Sequence, residues 1–428
     1  MSFQPCVRPR LVASFAALWL AWSCGPAAAQ ASAAGLSFES AQTLALERAP
    51  QLAARRAALE GALAQRVSAG ELPDPRLSMA LENLPISGPM RWSFTAEPMT
   101  QRTFGWMQDM PNAAKRAARA DVAQAKADRE RAMLLADGLM VRRDVAQAWL
   151  ARWFAEKRLA AFAALEAENR LLQDTLAGRV AAGSAMPAEA LMARQEALML
   201  ADRRDELQRE LAQAQAGLRR WLDDDASRAL AGEPPPLVVS AHALHDDIPR
   251  HADLQAVEPM LRMAQADIAE AQAMKSGDWS WQLMYSRRAS AFGDMVGVQI
   301  NFELPLWGAR RQDPQIHARR QEAERIRLER EDMQRRRREE IDMQLAELDE
   351  AARMATRLQT QVTPLAEERV RLAMAAYETA RGSLADVLAA RRERAEIGLK
   401  LLQLQARQHG LRARMSFLTN VLTPETRP

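Results

Sequence analysis

From Ala113 to Val180 the chain carries no proline and only two glycines, Gly138 and Gly178. The residues that break a helix are missing or rare there, so nothing local stops one from propagating. About 68 residues at ~1.5 Å each make a rod of roughly 100 Å. A globular domain has no use for such a rod; a device that bridges a distance does. Ala, Leu, Arg, Glu and Gln dominate long stretches and aromatics are only 5%, the bias of long helices and coiled coils. Hydrophobic residues at 48% leave ample surface to bury, which excludes a disordered chain.

A second rod follows from periodicity. Ile341, Leu345, Leu348, Ala352, Ala355, Leu358, Val362 and Leu365 recur at steps of three and four, one helix face, with Arg, Glu, Asp and Gln between them. Pro364 must break or kink this helix.

Four short segments alternate instead. Val296, Val298, Ile300, Phe302 and Leu304 interleave with Gly297, Gln299, Asn301 and Glu303. Trp279, Trp281, Leu283 and Tyr285 interleave with Ser280, Gln282, Met284 and Ser286. Leu77, Met79 and Leu81 do so with Ser78, Ala80 and Glu82. This period of two predicts strands at about 76–84, 279–286 and 295–304, each with one apolar face. A fourth strand, at about 103–110, is less regular, since Met107 falls opposite Phe104 and Trp106. The pattern fits a small soluble sheet packed on helices. It also fits strands in a bilayer, apolar outward and polar inward, with Trp92, Trp106, Trp279 and Trp281 as an interfacial girdle. In the second case four strands cannot close a barrel, and open edges cannot face lipid. Several copies would then pool strands. Val296, Val298, Ile300, Phe302, Trp279 and Trp281 would face lipid, and Gln299, Asn301 and Glu303 a shared lumen.

The plan of helix, two strands, long helix, turn and helix occurs twice, over 30–222 and 254–422. A linker at 223–253 holds Asp223-Asp224-Asp225 and Pro234-Pro235-Pro236, and a tail occupies 423–428. Met110-Pro111 before Lys115-Arg116 matches Leu304-Pro305 before Arg310-Arg311. Gly183-Ser184 before Glu189 matches Gly382-Ser383 before Asp386, with a two-residue difference in spacing.

Residues 1–29 read as a signal peptide: Arg8 and Arg10, an apolar run from Leu11 to Trp22, and Ala27-Ala28-Ala29 before Gln30. Acylation at Cys24 is the alternative, against which Trp22 fits a lipidation box poorly. Both cysteines, Cys6 and Cys24, lie in this leader, so no thiol chemistry is expected beyond it. The formal net charge of +3 includes the two leader arginines; the remainder is near neutral, which excludes an electrostatic nucleic-acid binder. No phosphate-binding glycine loop, HExxH or GxSxG occurs, so no enzyme and no cofactor is expected. Met79, Met90, Met99, Met107 and Met110 could suggest a soft metal, and His242, His245 and His251 with Asp246 and Asp247 could suggest zinc. Apolar filler explains the first, and the second matches no defined ligand spacing. No metal site is expected.

Several stretches carry a resemblance: Pro364-Leu365-Ala366-Glu367-Glu368, Val370 to Tyr377, Gly382-Ser383-Leu384-Ala385-Asp386-Val387-Leu388, Glu303-Leu304-Pro305-Leu306 and Leu72-Pro73-Asp74-Pro75-Arg76-Leu77. Over nearly all of 30–428 the chain resembles the TolC-type outer-membrane factors of tripartite efflux systems, with the heavy-metal subgroup nearest in pattern. The resemblance implies a mainly α fold of long antiparallel helical hairpins plus four transmembrane strands per protomer. It implies a homotrimer with a twelve-stranded barrel in outer-membrane lipid, reaching into the periplasm. A periplasmic adaptor (membrane fusion protein) and an RND-type inner-membrane pump are the implied partners, and export of metal ions or small toxic compounds the implied task. It also places Asp386 and Tyr377 at a periplasmic gate. Three Asp386 carboxylates would attract cations, and Glu189 would add a ring from the other hairpin. Asp386 equally suits first-turn capping after Ser383, and Tyr377 interhelical packing. Ala389, Asn112-Ala113-Ala114 and Pro187 depart from the family pattern. A periplasmic coiled-coil adaptor that never enters a membrane is the rival reading.

Overall fold

The computed structural model describes residues 35–289 and 291–418. The leader with Cys24 and the tail at 423–428 lie outside them.

Two helices open the first half, α1 (Phe38–Arg48) and α2 (Pro50–Ala69). Ser37 caps α1, its hydroxyl accepting from Ser40 N at 3.1 Å. Pro50 separates the two, because the residue before a proline is kept out of helical geometry; Ala49 has ψ 114. Strands β1 (Arg76–Glu82) and β2 (Gln101–Met110) follow, then α3 (Ala113–Ala181) and α4 (Pro187–Leu222). Helix α3 is 69 residues without interruption, the rod read from the sequence.

The stretch at 223–253 is shaped rather than slack. It holds a 3₁₀ turn at Asp223–Ser227, the short α5 (Ala241–Asp246) and a second 3₁₀ turn at Ile248–Arg250. Leu230 makes a parallel bridge to Leu36. Arg152 in α3 is buried and donates to Ala226 O at 2.5 Å. Arg48 pairs with Asp225 at 2.5 Å, which holds the Asp225 carboxyl below its usual range.

The second half repeats the order: α6 (Ala252–Ala273), β3 (Trp279–Arg287), β4 (Met295–Phe302) and α7 (Gly308–Arg357). A π turn at Leu358–Val362 leads into α8 (Thr363–Glu378), and α9 (Leu384–Ser416) completes the hairpin. The predicted break at Pro364 takes this form. A proline ring collides with the carbonyl four residues back, here Thr360, and the widened turn relieves that collision. Pro364 itself then sits in the first turn of α8, where its missing N–H is tolerated. The turn also resets the helix phase. Ile341 and Ala355 are buried as the periodicity predicts, Leu345, Leu348 and Ala352 are half-buried, and Ala351 is buried beside the expected Ala352; Leu365, beyond the turn, is 70% exposed and Ala366 is buried in its place.

The four strands form one antiparallel sheet in the order β1-β2-β3-β4. The β2–β3 pairing joins the two halves, with Met110 opposite Trp279 and Thr103 opposite Ser286. Strands β1 and β4 are its open edges. Observed strand limits differ from the expected ones by at most two residues, and Glu303 lies just past the end of β4.

The main core lies where the helices cross. Trp149 is fully buried, meets Phe38 edge-on at 5.5 Å and donates Nε1–H to Leu36 O at 3.0 Å. Leu218 and Leu222 of α4 and Ala413 of α9 complete that cluster. The second-half cluster is aliphatic: Ile248, Leu254, Ile341, Leu411 and Met415. Smaller clusters continue along the hairpins, with Phe162 and Leu207, then Leu176 and Leu384.

Candidate functional site

Two regions carry the chemistry: the sheet and the hairpin tips. Residues opposite one another in an antiparallel ladder share a face, so the register assigns sides without ambiguity. One face holds Leu77, Met79 and Leu81 of β1, Phe104 and Trp106 of β2, Trp279, Trp281, Leu283 and Tyr285 of β3, and Val296, Val298, Ile300 and Phe302 of β4. Twelve of those residues are exposed, Met79 at 72% and Val296 at 70%, while Trp281 is half-buried. The opposite face holds Ser78, Thr103, Gly105, Gln282, Ser286, Gln299 and Asn301. Thr103 and Ser280 on it are buried, although both are polar.

The polar side is drawn together. A Cβ added at Gly105 would lie 2.5 Å from Ser78 Oγ and 2.7 Å from Gln282 Nε2. Side chains from the strands on either side therefore lean over Gly105, as on the concave side of a curl. They also bond to each other. Thr103 and Ser286 hydroxyls lie 2.9 Å apart, Gln299 donates to Asn301 Oδ1 at 2.8 Å, and Asn301 donates to Ser280 Oγ at 3.3 Å. The lumen candidates Gln299 and Asn301 thus lie on this polar face, and all six lipid-facing candidates lie on the apolar one.

The sheet is clamped to the helices at Gly277-Asp278. A Cβ at Gly277 would meet Glu303 O at 1.7 Å, so only glycine fits the close approach. Glu303 N donates to Asp278 O at 2.8 Å. The Asp278 carboxylate accepts from Asn112 N at 2.9 Å and from Lys115 Nζ at 2.8 Å. Burial works against its charge, but these two donors prevail and hold its carboxyl below the usual range. One aspartate so fixes the start of β3, the end of β4 and the start of α3.

At the far end of the rods, Asp386 and Ser383 form a capping box. Ser383 Oγ donates to Asp386 Oδ2 at 2.7 Å, and Asp386 N donates to Ser383 Oγ at 3.2 Å. The hydroxyl bond first, then the Ser383 N–H, keeps the exposed Asp386 carboxyl below its usual range. Tyr377 is half-buried against Leu176, Ala193, Leu384 and Leu388. Its hydroxyl accepts from Arg179 Nη1 at 3.3 Å, and the guanidinium lies 5.5 Å from its ring centre. Arg179 belongs to α3, so this contact ties the two hairpin tips together. Sequence reasoning missed Arg179, because only the fold brings it to Tyr377. Glu189 lies in the first turn of α4 and is half-buried. Sequence reasoning also missed Glu196. It is buried in α4, 3.3 Å from Arg392; burial pushes its carboxyl up and Arg392 opposes.

The metal-type clusters disperse. Met79 and Met110 lie on the apolar face and Met107 on the polar one, with Met90 and Met99 in the connecting loop. His242 pairs with Asp246 at 3.2 Å and His245 with Asp342 at 3.1 Å. His251 is buried, with Asp253 at 3.7 Å, and neither of its ring nitrogens has a hydrogen-bond partner. Burial first, then Arg337, pushes its pKa down.

A long hairpin pair mounted on a four-stranded meander recurs in solved structures. The chain matches a membrane protein from Pseudomonas aeruginosa with a TM-score of 0.75 at 18% identity, over 89% of this chain and 90% of that one. It matches the outer membrane protein VceC of Vibrio cholerae at 0.67 and 20% identity, over 89% and 95%. It matches the CmeC outer membrane channel of Campylobacter jejuni at 0.69 and 13% identity, over 97% and 95%. The chain has the fold of these outer-membrane channels. It is the fold that the TolC-type resemblance implies. No family model matches the sequence, and no curated protein matches it. Within the outer-membrane-channel fold, no helix among the described residues is long and apolar enough to cross a membrane.

Proposed function

We propose that this chain is the outer-membrane channel subunit of a tripartite efflux system, a member of the TolC-type factors. The observation that carries the proposal is the polarity of the sheet. It turns an apolar face outward, a hydrogen-bonded polar face inward, and leaves both edges unpaired. In water that arrangement exposes a large apolar patch without reason. In a bilayer it is the required polarity, provided the edges find partners. Three copies supply twelve strands, a number within the range of bacterial barrels. The polar faces then line one lumen, with Gln299 and Asn301 on its wall and Glu303 at its rim. Val296, Val298, Ile300, Phe302, Trp279 and Trp281 meet lipid.

The rods, roughly 100 Å long, carry the lumen through the periplasm to an entrance at the hairpin tips. Asp386, Tyr377 and Glu189 form that entrance, with Arg179 as the link between tips. The protein is a passive conduit. A periplasmic adaptor docks on the helices and an RND-type pump in the inner membrane supplies energy and selects the cargo, a metal ion or a small toxic compound.

Fractionation tests this. Membranes separated on a sucrose density gradient should place the protein with the outer membrane, and detergent extracts should give a cross-linkable trimer. Recovery as a monomer in the soluble periplasm would sink the proposal and favour a coiled-coil adaptor.

A further inference from the structure

The two ends of the sheet treat positive charge differently. At the helix end Arg76 is paired with Asp109 at 2.7 Å and Lys115 with Asp278 at 2.8 Å. At the loop end, Arg102 of β2 stands directly opposite Arg287 of β3. Like charges directly opposite in a ladder destabilise it. Among the described residues neither arginine is in an ion pair, and Arg102 Nε is out of solvent without an acceptor. The nearby carboxylate of Asp294 is engaged by the Tyr285 hydroxyl. Both arginines lie on the apolar face of the sheet, beside Leu81 and Phe104. Together with Met79 these residues line an open hollow of about 460 Å³. Arg288, stacked 5.4 Å from the Phe292 ring centre, adds positive charge to the same end.

We infer that this hollow is a binding site for a phosphorylated lipid headgroup of the outer leaflet. The inference rests on the membrane-spanning reading of the sheet. The helices leave from the opposite ends of the strands, so a periplasmic helical body places Arg102 and Arg287 at the external surface. Arginine on the lipid face costs little at that depth, though much at the midplane. Two guanidiniums present paired donors in fixed planes, which suit the several oxygens of one phosphate. The phosphate neutralises the repulsion, and Met79, Leu81 and Phe104 take the start of the acyl chain. The lipid thus completes a cross-strand contact that the protein leaves repulsive.

The test uses the full-length oligomer in mild detergent, after confirming that it forms channels in planar bilayers. Short-chain phosphatidic acid, phosphatidylcholine of equal chain length and inorganic phosphate are titrated while tryptophan fluorescence is followed. Phosphatidic acid should bind at least tenfold tighter than phosphatidylcholine. Arg102→Gln and Arg287→Gln, singly, should each erase most of that preference while channel conductance stays unchanged, and the Lys pair R102K/R287K should retain part of it. Equal binding of the two lipids, or glutamine variants that bind as the parent does, overturns the inference. Inorganic phosphate binding as tightly as phosphatidic acid also overturns it, by assigning the site to a free anion. Failure of the parent to form channels would instead strike the membrane reading itself.

Discussion

The two halves of the chain build the same hairpin by different means. Each long helix ends in the same backbone turn. Ser184 N donates to Arg179 O at 2.8 Å in the first, and Arg381 N donates to Ala376 O at 2.8 Å in the second. By these bonds Gly183 corresponds to Ala380, not to Gly382, so the two glycine-serine pairs that look equivalent in sequence are not. Gly183 has φ +69, and Ala380 adopts φ 58 without glycine's freedom. The next helix reverses the advantage. Helix α9 begins on the Ser383–Asp386 capping box, whereas α4 begins on Met186, which offers no side-chain cap. Upstream, α3 runs unbroken into its tip while the second rod passes through a π turn. Helix α8 beyond that turn buries only Ala366 and packs on α9. The first hairpin is a continuous strut. The second has an outer arm that buries little of itself beyond Ala366 and the half-buried Tyr377.

The largest expected effect is in the cores. Trp149→Ala removes a fully buried ring and its bond to Leu36, and should cost about 3–5 kcal/mol. Ile341→Ala in the aliphatic second core should cost less, about 2–3 kcal/mol. Chemical denaturation of the detergent-solubilised protein measures both, and equal losses would dissolve the contrast between the halves. Next come the tips. Ser383→Ala should cost about 1 kcal/mol, and Met186→Ser should add a similar amount to the first hairpin. Ala380→Gly should stabilise by roughly 0.5–1 kcal/mol by relieving the left-handed backbone. A melting temperature unmoved by Met186→Ser would show that the uncapped start of α4 is already satisfied by other means.

The proposed entrance should also be asymmetric. Asp386→Ala is expected to weaken block of reconstituted channels by multivalent cations severalfold, and Glu189→Ala to do less, because Glu189 is half-buried. Unchanged block in Asp386→Ala removes that residue from the gate. The smallest effect concerns His251, whose counterpart at the start of α2 is Ala49. Both are buried caps of their helices. His251 sits among Arg143 of α3, Arg337 and Glu340 of α7, and Asp253. Its pKa is lowered in the fold, so the unfolded chain takes up a proton first as pH falls. Stability is complete above about pH 6.5 and declines as pH drops toward the folded value. His251→Ala should flatten that slope, and a slope that persists would assign it to other groups.

The strands were legible because alternation survives in sequence whatever solvent lies outside. Val296 to Phe302 show it residue by residue. What alternation does not say is which face the solvent touches; the register puts Trp106, Leu283 and Val298 side by side, all three exposed or half-exposed. The rod was legible because its breakers are absent. The phase shift at Leu358–Val362 was not, since a π turn leaves no mark except Pro364 downstream of it. Ala49-Pro50 did mark the split between α1 and α2. Arg179 with Tyr377 and Arg102 with Arg287 were hidden for one reason: each pair is far apart in sequence and meets only through the fold.

The open edges of β1 and β4 have a last consequence. A single chain is an arc whose rims carry bare peptide groups, each costing several kcal/mol in hydrocarbon. On the proposed trimeric barrel, insertion and assembly become one event, and its rate should climb with roughly the third power of the density of waiting chains. Scarce expression would leave arcs stranded on the aqueous side, as targets for proteolysis, long before the membrane filled with pores.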